Sequence, residues 1–256
     1  MQMNGNTILI TGGGSGIGRG LAEAFHALGN KVIVAGRRQS ALDETAAANP
    51  GMASLAVDVE DRDAIDAFAA RVVAEHPDLN VLINNAGVMR AENLLAPPLD
   101  LADAETMIDA NLLGPIRLTA ALLPPLIKQP RAAIMTVSSG LAFVPLASTP
   151  TYCATKAAIH SYMQSLRYQL RDTRVQVLEL APPYVQTELL GPAQASDPRA
   201  MPLKDFIAET MNILKASPDA TEILVEPVKP LRFAEANGGY AAFFKRFNDA
   251  MTVATH

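Results

Sequence analysis

The chain has 256 residues, 49% of them hydrophobic, and 21 Lys and Arg set against 26 Asp and Glu give a net charge of −5. That supplies a sizeable core and excludes global disorder, while the acidic balance and the lack of a basic run argue against nucleic acid and against an anionic membrane surface. A single cysteine, Cys153, permits no internal disulfide and suits a reducing, cytoplasmic setting; the polar N-terminus lacks signal-peptide character, and the apolar runs break at Gly or Pro short of the roughly 20 residues of a membrane span.

In chain order, residues 7–11 read as a buried strand and 12–16 as a glycine turn. Residues 18–29 have helical apolar spacing at Leu21, Ala24, Phe25 and Leu28. Residues 31–35 and 54–58 read as the next strands, and 62–75 as a helix. Further strands are expected at 81–84, 133–138 and 175–181, with long helices at 103–127 and 151–172. Pro124 and Pro125 should end or kink the first of these helices. Beyond Pro182 the pattern loosens into a loop at 191–202, an amphipathic helix at 203–215, a last strand at 222–226 and a last helix at 240–250. Continuous apolar strands separated by helices predict an α/β fold: a Rossmann-like doubly wound parallel sheet of about seven strands, with helices on both faces in a three-layer sandwich. No second domain boundary is visible in residues 1–256, and 188–215 reads as a lid-like segment at the sheet's carboxyl edge.

Three motifs carry chemistry. The first is Thr11-Gly12-x3-Gly16-x-Gly18, between a strand and a helix. Its glycines let the backbone turn tightly and let a phosphate approach, and the helix N-terminus offers free N–H groups to a pyrophosphate. The second is Gly36-Arg37-Arg38 at the end of the second strand, where an acid would hold a ribose 2′-hydroxyl. Two guanidiniums there favour a 2′-phosphate, hence NADP(H), with NAD(H) still possible. The third is Asn111, Ser139, Tyr152 and Lys156. Tyr152 and Lys156 stand four apart on a helix, so an ammonium would lie beside the phenol and lower its pKa, making Tyr152 a proton donor or acceptor. Ser139, at a strand end, would hydrogen-bond a substrate oxygen.

Together these motifs, with Asp58-Val59, Asn84-Asn85-Ala86-Gly87 and the strip Pro182 to Thr187, resemble the short-chain dehydrogenase/reductase family in its compact single-domain form. The resemblance covers roughly residues 5–190. It implies hydride transfer between a nicotinamide dinucleotide and a carbonyl or secondary alcohol. It implies Ser139, Tyr152 and Lys156 as catalytic, with Asn111 holding a water that links Lys156 to solvent. Gly12, Ser15, Gly16, Ile17 and Gly18 would hold the pyrophosphate, and Lys156 the nicotinamide ribose. Asp58 and Val59 would lie along the adenine, and Asn85, Ala86 and Gly87 beside the adenosine ribose. Pro182, Val185 and Thr187 would meet the nicotinamide. One departure is Pro182-Pro183, where the family has Pro-Gly. The resemblance also implies a homodimer or homotetramer built through the two long helices.

Substrate is read from the apolar loops. Met89, Leu141, Ala142, Phe143, Val144, Leu146, Tyr184, Leu189, Leu190, Met201 and Phe206 suggest a hydrophobic ketone, aldehyde or alcohol, and Arg90, Glu188 and Asp205 form no anion clamp. The four histidines show no metal-ligand spacing, so no metal is expected, and His160 reads as helix packing. Cys153 reads as a buried hydrophobe, and the tail around Phe243, Phe244 and Phe247 as a helix packed on its own domain or a partner subunit rather than on a membrane. A non-catalytic NADP-binding regulator is the competing reading, disfavoured by the intact Ser-Tyr-Lys-Asn set; an epimerase or dehydratase needs a larger carboxyl-terminal domain.

Overall fold

The computed structural model describes residues 1–96 and 100–252. Its sheet has strands β1 (Thr7–Thr11), β2 (Lys31–Gly36), β3 (Ala53–Ala56), β4 (Val81–Asn84), β5 (Ala132–Val137), β6 (Val175–Leu180) and β7 (Glu222–Ile223). All pairings are parallel, in the order β3-β2-β1-β4-β5-β6-β7. The order reverses between β1 and β4, which opens a crevice at the carboxyl ends of those strands.

The helices are α1 (Gly16–Ala27), α2 (Gln39–Ala48), α3 (Arg62–Glu75), α4 (Ala102–Ile108), α5 (Gly114–Lys128), α6 (Pro150–Gln169), α7 (Pro192–Ala195), α8 (Leu203–Ala216), α9 (Lys229–Arg232) and α10 (Tyr240–Thr252). The strands are apolar on both sides, so both faces need cover. On one face Ile8, Ile10, Val34, Met135 and Leu178 pack with Leu21 and Phe25 of α1 and Phe206 and Leu214 of α8. On the other, Leu9, Ile33, Leu82, Ile134 and Val177 pack beneath α3, α5 and α6. This is the three-layer, doubly wound arrangement expected.

Several local expectations are corrected. Residues 39–48 carry no readable pattern yet form α2; the segment is alanine-rich and buries only Leu42 and Thr45, too few to mark a stripe. Pro124 and Pro125 do not break α5, which runs on to Lys128. They fall in its last turns, and the carbonyl of exposed Ala120, deprived of an N–H partner, can face water. The expected helix at 103–127 is interrupted earlier, by a π-helical turn at Asp109–Leu113. Residues 102–128 are long and apolar enough to cross a membrane by length and composition. Met107, Leu118, Leu122 and Leu126 are nevertheless buried in the fold. The third strand occupies 53–56 rather than 54–58, the last strand shrinks from 222–226 to two residues, and the loop at 191–202 contains the single turn α7.

Candidate active site

The glycine turn is lashed to the end of β4. The Thr11 hydroxyl accepts from the backbone N–H groups of Asn85 and Ala86, both at 3.0 Å, and Asn85 Nδ2 donates back to the Thr11 carbonyl at 2.9 Å. Gly12 and Gly16 adopt left-handed φ of 67° and 52°, which only glycine takes without strain. Gly18, in the first turn of α1, lies hard against the glycine turn: a Cβ there would lie 2.3 Å from the Gly12 carbonyl oxygen and 2.4 Å from Asn85 Nδ2. Ser15, at the N-cap, makes no side-chain capping bond, so the first-turn N–H groups of Gly16, Ile17 and Gly18 remain available. Turn and helix end together form an anion cradle that fits a pyrophosphate.

At the end of β2, Arg37 and Arg38 are exposed. The Arg37 guanidinium donates to Glu60 Oε1 at 2.7 Å. Asp58 accepts from the Glu60 backbone N–H at 3.0 Å, and Val59 is buried against Gly114, whose Cβ would lie 2.7 Å from the Val59 carbonyl oxygen. These residues border the same end of the sheet as the glycine turn.

Asn111, Ser139, Tyr152 and Lys156 all lie buried at the carboxyl edge beyond β4 and β5. Asn111 sits within the π turn, a geometry that re-aims a helical side chain. Its Oδ1 accepts from the Val88 N–H and its Nδ2 donates to the Val88 carbonyl, both at 2.8 Å. A Cβ on Gly87 would lie 2.9 Å from Asn111 Oδ1 and 3.8 Å from Lys156 Nζ, so the three residues converge. Lys156 Nζ donates to the Val137 carbonyl at 2.9 Å and stands 5.5 Å from the centre of the Tyr152 ring. Ser139 Oγ accepts from the Leu141 N–H at 3.1 Å.

Burial pulls the Lys156 ammonium down to about 8, with the Glu179 carboxylate acting in the opposite sense. Burial also pushes the Tyr152 phenol well above its ordinary value, and the neighbouring Ser139 hydroxyl partly offsets this. The expected lowering of the phenol by lysine is therefore overturned in this state. Desolvation sets the direction, and the ammonium directs its hydrogen bond to the Val137 carbonyl.

The strip after β6 closes the crevice. The Pro182 carbonyl accepts from Gly140 N–H at 2.8 Å, and Val185 bridges to Met201. Gln194 Nε2 donates to the Val185 carbonyl at 2.8 Å and to Thr187 Oγ1 at 3.1 Å. A Cβ on Gly16 would lie 3.4 Å from the Thr187 methyl group, so this strip meets the glycine turn.

The apolar wall differs in part from expectation. Met89, Met107, Leu146, Tyr152 and Cys153 form one buried cluster, flanked by Val88, Leu141, Leu189, Phe247 and Met251. Phe247 and Met251 belong to α10, whose approach sequence reasoning did not connect to the site. Asn248 pins that helix, donating to the Pro145 carbonyl at 3.1 Å and accepting from Ala147 N–H at 2.6 Å. Phe206 and Met201, expected on the wall, pack instead with the core against α1. Phe143 meets His160 edge-on at 4.9 Å and lies under the Arg232 guanidinium. Glu92 was also missed. It accepts from Thr151 N–H at 2.8 Å and from Thr151 Oγ1 at 2.7 Å, fixing the first turn of α6 next to Tyr152.

Comparison with known proteins agrees with this architecture. Residues 6–198 match the short chain dehydrogenase family. An oxidoreductase of Bacillus subtilis (strain 168), DltE, is 41% identical over 251 residues, spanning 97% of this chain and 98% of its own. An NADP-dependent 3-hydroxy acid dehydrogenase of Schizosaccharomyces pombe is 34% identical, covering 73% of this chain and 74% of its own length. A short chain dehydrogenase from Burkholderia cenocepacia J2315, solved in complex with NADP, superposes with a TM-score of 0.80 at 25% identity over 96% of this chain and 98% of its own.

Proposed function

The chain belongs to the short-chain dehydrogenase/reductase family and is an oxidoreductase of that type, and from this premise we propose that it interconverts a hydrophobic ketone or aldehyde and the corresponding alcohol with NADP(H). The observation that carries the proposal is the convergence of Asn111, Ser139, Tyr152 and Lys156 beside an uncapped glycine cradle. The bound dinucleotide supplies or accepts the hydride.

This chain's residues do the rest. Ser139 Oγ hydrogen-bonds the substrate oxygen and stabilises charge developing there. Tyr152 Oη, protonated at neutral pH because its phenol is pushed up, gives its proton to that oxygen in reduction and takes it back in oxidation. Lys156 would hold the nicotinamide ribose, and its ammonium stabilises the phenolate left behind. Asn111 fixes the Val88 backbone and the approach to Lys156. Gly12, Ser15, Gly16, Ile17 and Gly18 would hold the pyrophosphate, Asp58, Val59, Asn85, Ala86 and Gly87 the adenosine, and Pro182, Val185 and Thr187 the nicotinamide. Residues 188–202 act as the lid; α8 lies outside it, since its Phe206 and Leu214 are fixed in the core. The exposed Ile127 and Tyr168 on α5 and α6 belong to the face through which a homodimer would form.

An apolar substrate is favoured because Met89, Leu141, Leu146, Leu189, Phe247 and Met251 surround Tyr152. Arg90, the nearby cation, is exposed and drawn to Asp103 at 3.8 Å. NADP over NAD rests on Arg37 and Arg38. The Arg37–Glu60 pair is surface-exposed and weak enough for a phosphate to compete for the guanidinium.

One assay tests both parts: NADPH and NADH oxidation over a panel of apolar ketones, aldehydes and 3-oxo acids, in the parent and in Arg37→Ala. The parent is expected to prefer NADPH and apolar ketones. Arg37→Ala should weaken NADPH by roughly 10- to 100-fold, the worth of a charged hydrogen bond, and leave NADH nearly unchanged. Equal losses for both dinucleotides would reject the phosphate contact, and faster turnover of 3-oxo acids would reject the apolar pocket.

A further inference from the structure

Glu179 is an acid in the buried, mostly apolar core strand β6, Val-Gln-Val-Leu-Glu-Leu. It is 1% exposed. In the sheet it pairs with Thr136, the residue before Val137, whose carbonyl receives the Lys156 ammonium. A carboxylate this deep is costly unless its charge and lone pairs are met. One oxygen is met: Oε2 lies 2.7 Å from His160 Nδ1. His160 stands one helical turn beyond Lys156, and Gln164 Nε2 lies 2.8 Å from its other ring nitrogen. His160 thus bridges Glu179 and Gln164 through its two ring nitrogens. The second oxygen, Oε1, has no hydrogen-bond partner among the described residues.

Among the described residues, two cations feel that charge, Arg232 and Lys156. Glu222 on β7 belongs with Glu179 and His160 to a group whose ligand atoms lie within 4.8 Å of one another. Its carboxylate is gripped on both oxygens by Arg232 of α9, at 2.8 and 3.0 Å. Arg167, also on α6, donates to the carbonyls of Val177 and Thr221. Tyr152 is uncharged at neutral pH, its phenol raised by burial. Lys156 remains, buried on the same helix one turn before His160.

We infer that Glu179 is a positioning residue for the reaction: its buried carboxylate, oriented by His160, keeps Lys156 an ammonium while Lys156 is closed off from water. The inference rests on the role proposed for Lys156. Physically, a fully buried lysine without a counter-charge titrates at roughly 5–6 and would be neutral at pH 7. An opposite charge nearby restores the cation, and Glu179 acts on Lys156 in that sense, against its burial. Without the ammonium, the phenolate form of Tyr152 loses its stabilising charge.

The test is Glu179→Gln, which keeps shape and hydrogen-bonding capacity and removes the charge, beside Glu179→Asp, which keeps the charge. Two readouts are taken: the pH dependence of turnover, and the titration of the Lys156 ε-carbon by NMR in 13C-lysine-labelled protein, assigned with Lys156→Met. Loss of a counter-charge lowers a lysine pKa, so the alkaline limb of turnover and the NMR titration in Glu179→Gln should both move about one pH unit or more towards acid. In Glu179→Asp both should stay within a few tenths of the parent. A Glu179→Gln enzyme that is merely slower at every pH, or a Glu179→Asp enzyme shifted equally, would overturn the inference. If Glu179→Gln does not fold, the parent decides: a Lys156 titration near 8 or above supports the inference, and a lower one contradicts it. The NMR readout needs no turnover. Retained activity in Lys156→Met would therefore sink the proposed role of Lys156 while leaving the charge coupling separately measured.

Discussion

Tyr152→Phe should lower kcat by between about 10²- and 10⁴-fold, the span of general acid–base catalysis, while dinucleotide affinity stays within a few-fold of the parent. The substitution removes one oxygen from a side chain that is 6% exposed and packed against Met89, Leu146 and Cys153. The ring is kept, so packing survives. What is lost is the only phenol hydroxyl among the described residues that adjoins Ser139. Stopped-flow or steady-state turnover, set beside fluorescence titration with NADPH, separates the two effects. Substantial residual turnover would mean that the proton comes from elsewhere, and loss of dinucleotide binding would mean that the variant disturbs the cradle rather than the chemistry.

The second large effect is expected at Gly18. A methyl group there would sit 2.3 Å from the Gly12 carbonyl oxygen and 2.4 Å from Asn85 Nδ2. The first of these is backbone, so it cannot swing aside as a flexible side chain can. Relief requires α1 to move away from the turn, and with it the N–H groups proposed to hold the pyrophosphate. Overpacking of this kind costs on the order of 3 kcal/mol, and for a chain of this size Gly18→Ala should lower Tm by roughly 6–12 °C. It should also weaken dinucleotide binding more than tenfold, since the anion cradle depends on that contact. Gly29→Ala is the control. Gly29 has φ of 81° but nothing within 4 Å of an added Cβ, and it ends α1 far from the cradle. It should cost about 1 kcal/mol of backbone strain and leave binding intact. Comparable losses of binding in both variants would contradict the link between the Gly18 contact and the cradle.

Much of this was legible because it is written in local pattern. The β-branched runs of β1, β2 and β6, the glycine spacing at Gly12, Gly16 and Gly18, and the four-residue step from Tyr152 to Lys156 need no tertiary information. What was hidden depends on packing across the chain. α2 could not be read because alanine signals neither face, and only Leu42 and Thr45 are buried. The π turn that aims Asn111 has no signature in its residues Asp109–Leu113. Phe206 looked like a pocket residue because it follows the loop, but helical phase turns it into the core. Phe247 and Met251 reach Tyr152 only because α10 folds back over the loop at Pro145 and Ala147. Glu179 did leave a signal: a lone acid within a buried parallel strand asks for a partner. The pKa of Tyr152 was misjudged because adjacency on a helix gives proximity to a cation, whereas the degree of desolvation is a property of the whole site.

Hydride transfer itself is tested most directly by isotope. The enzyme is given NADPH carrying deuterium at nicotinamide C4 and the apolar ketone that the panel shows to be turned over fastest, and the alcohol is analysed by mass spectrometry and NMR. One deuterium at the carbinol carbon, absent when Tyr152→Phe replaces the parent, is the result expected of an NADP(H)-dependent carbonyl reductase. Tight NADPH binding with no label in any product would contradict it and would make the protein a dinucleotide-binding regulator.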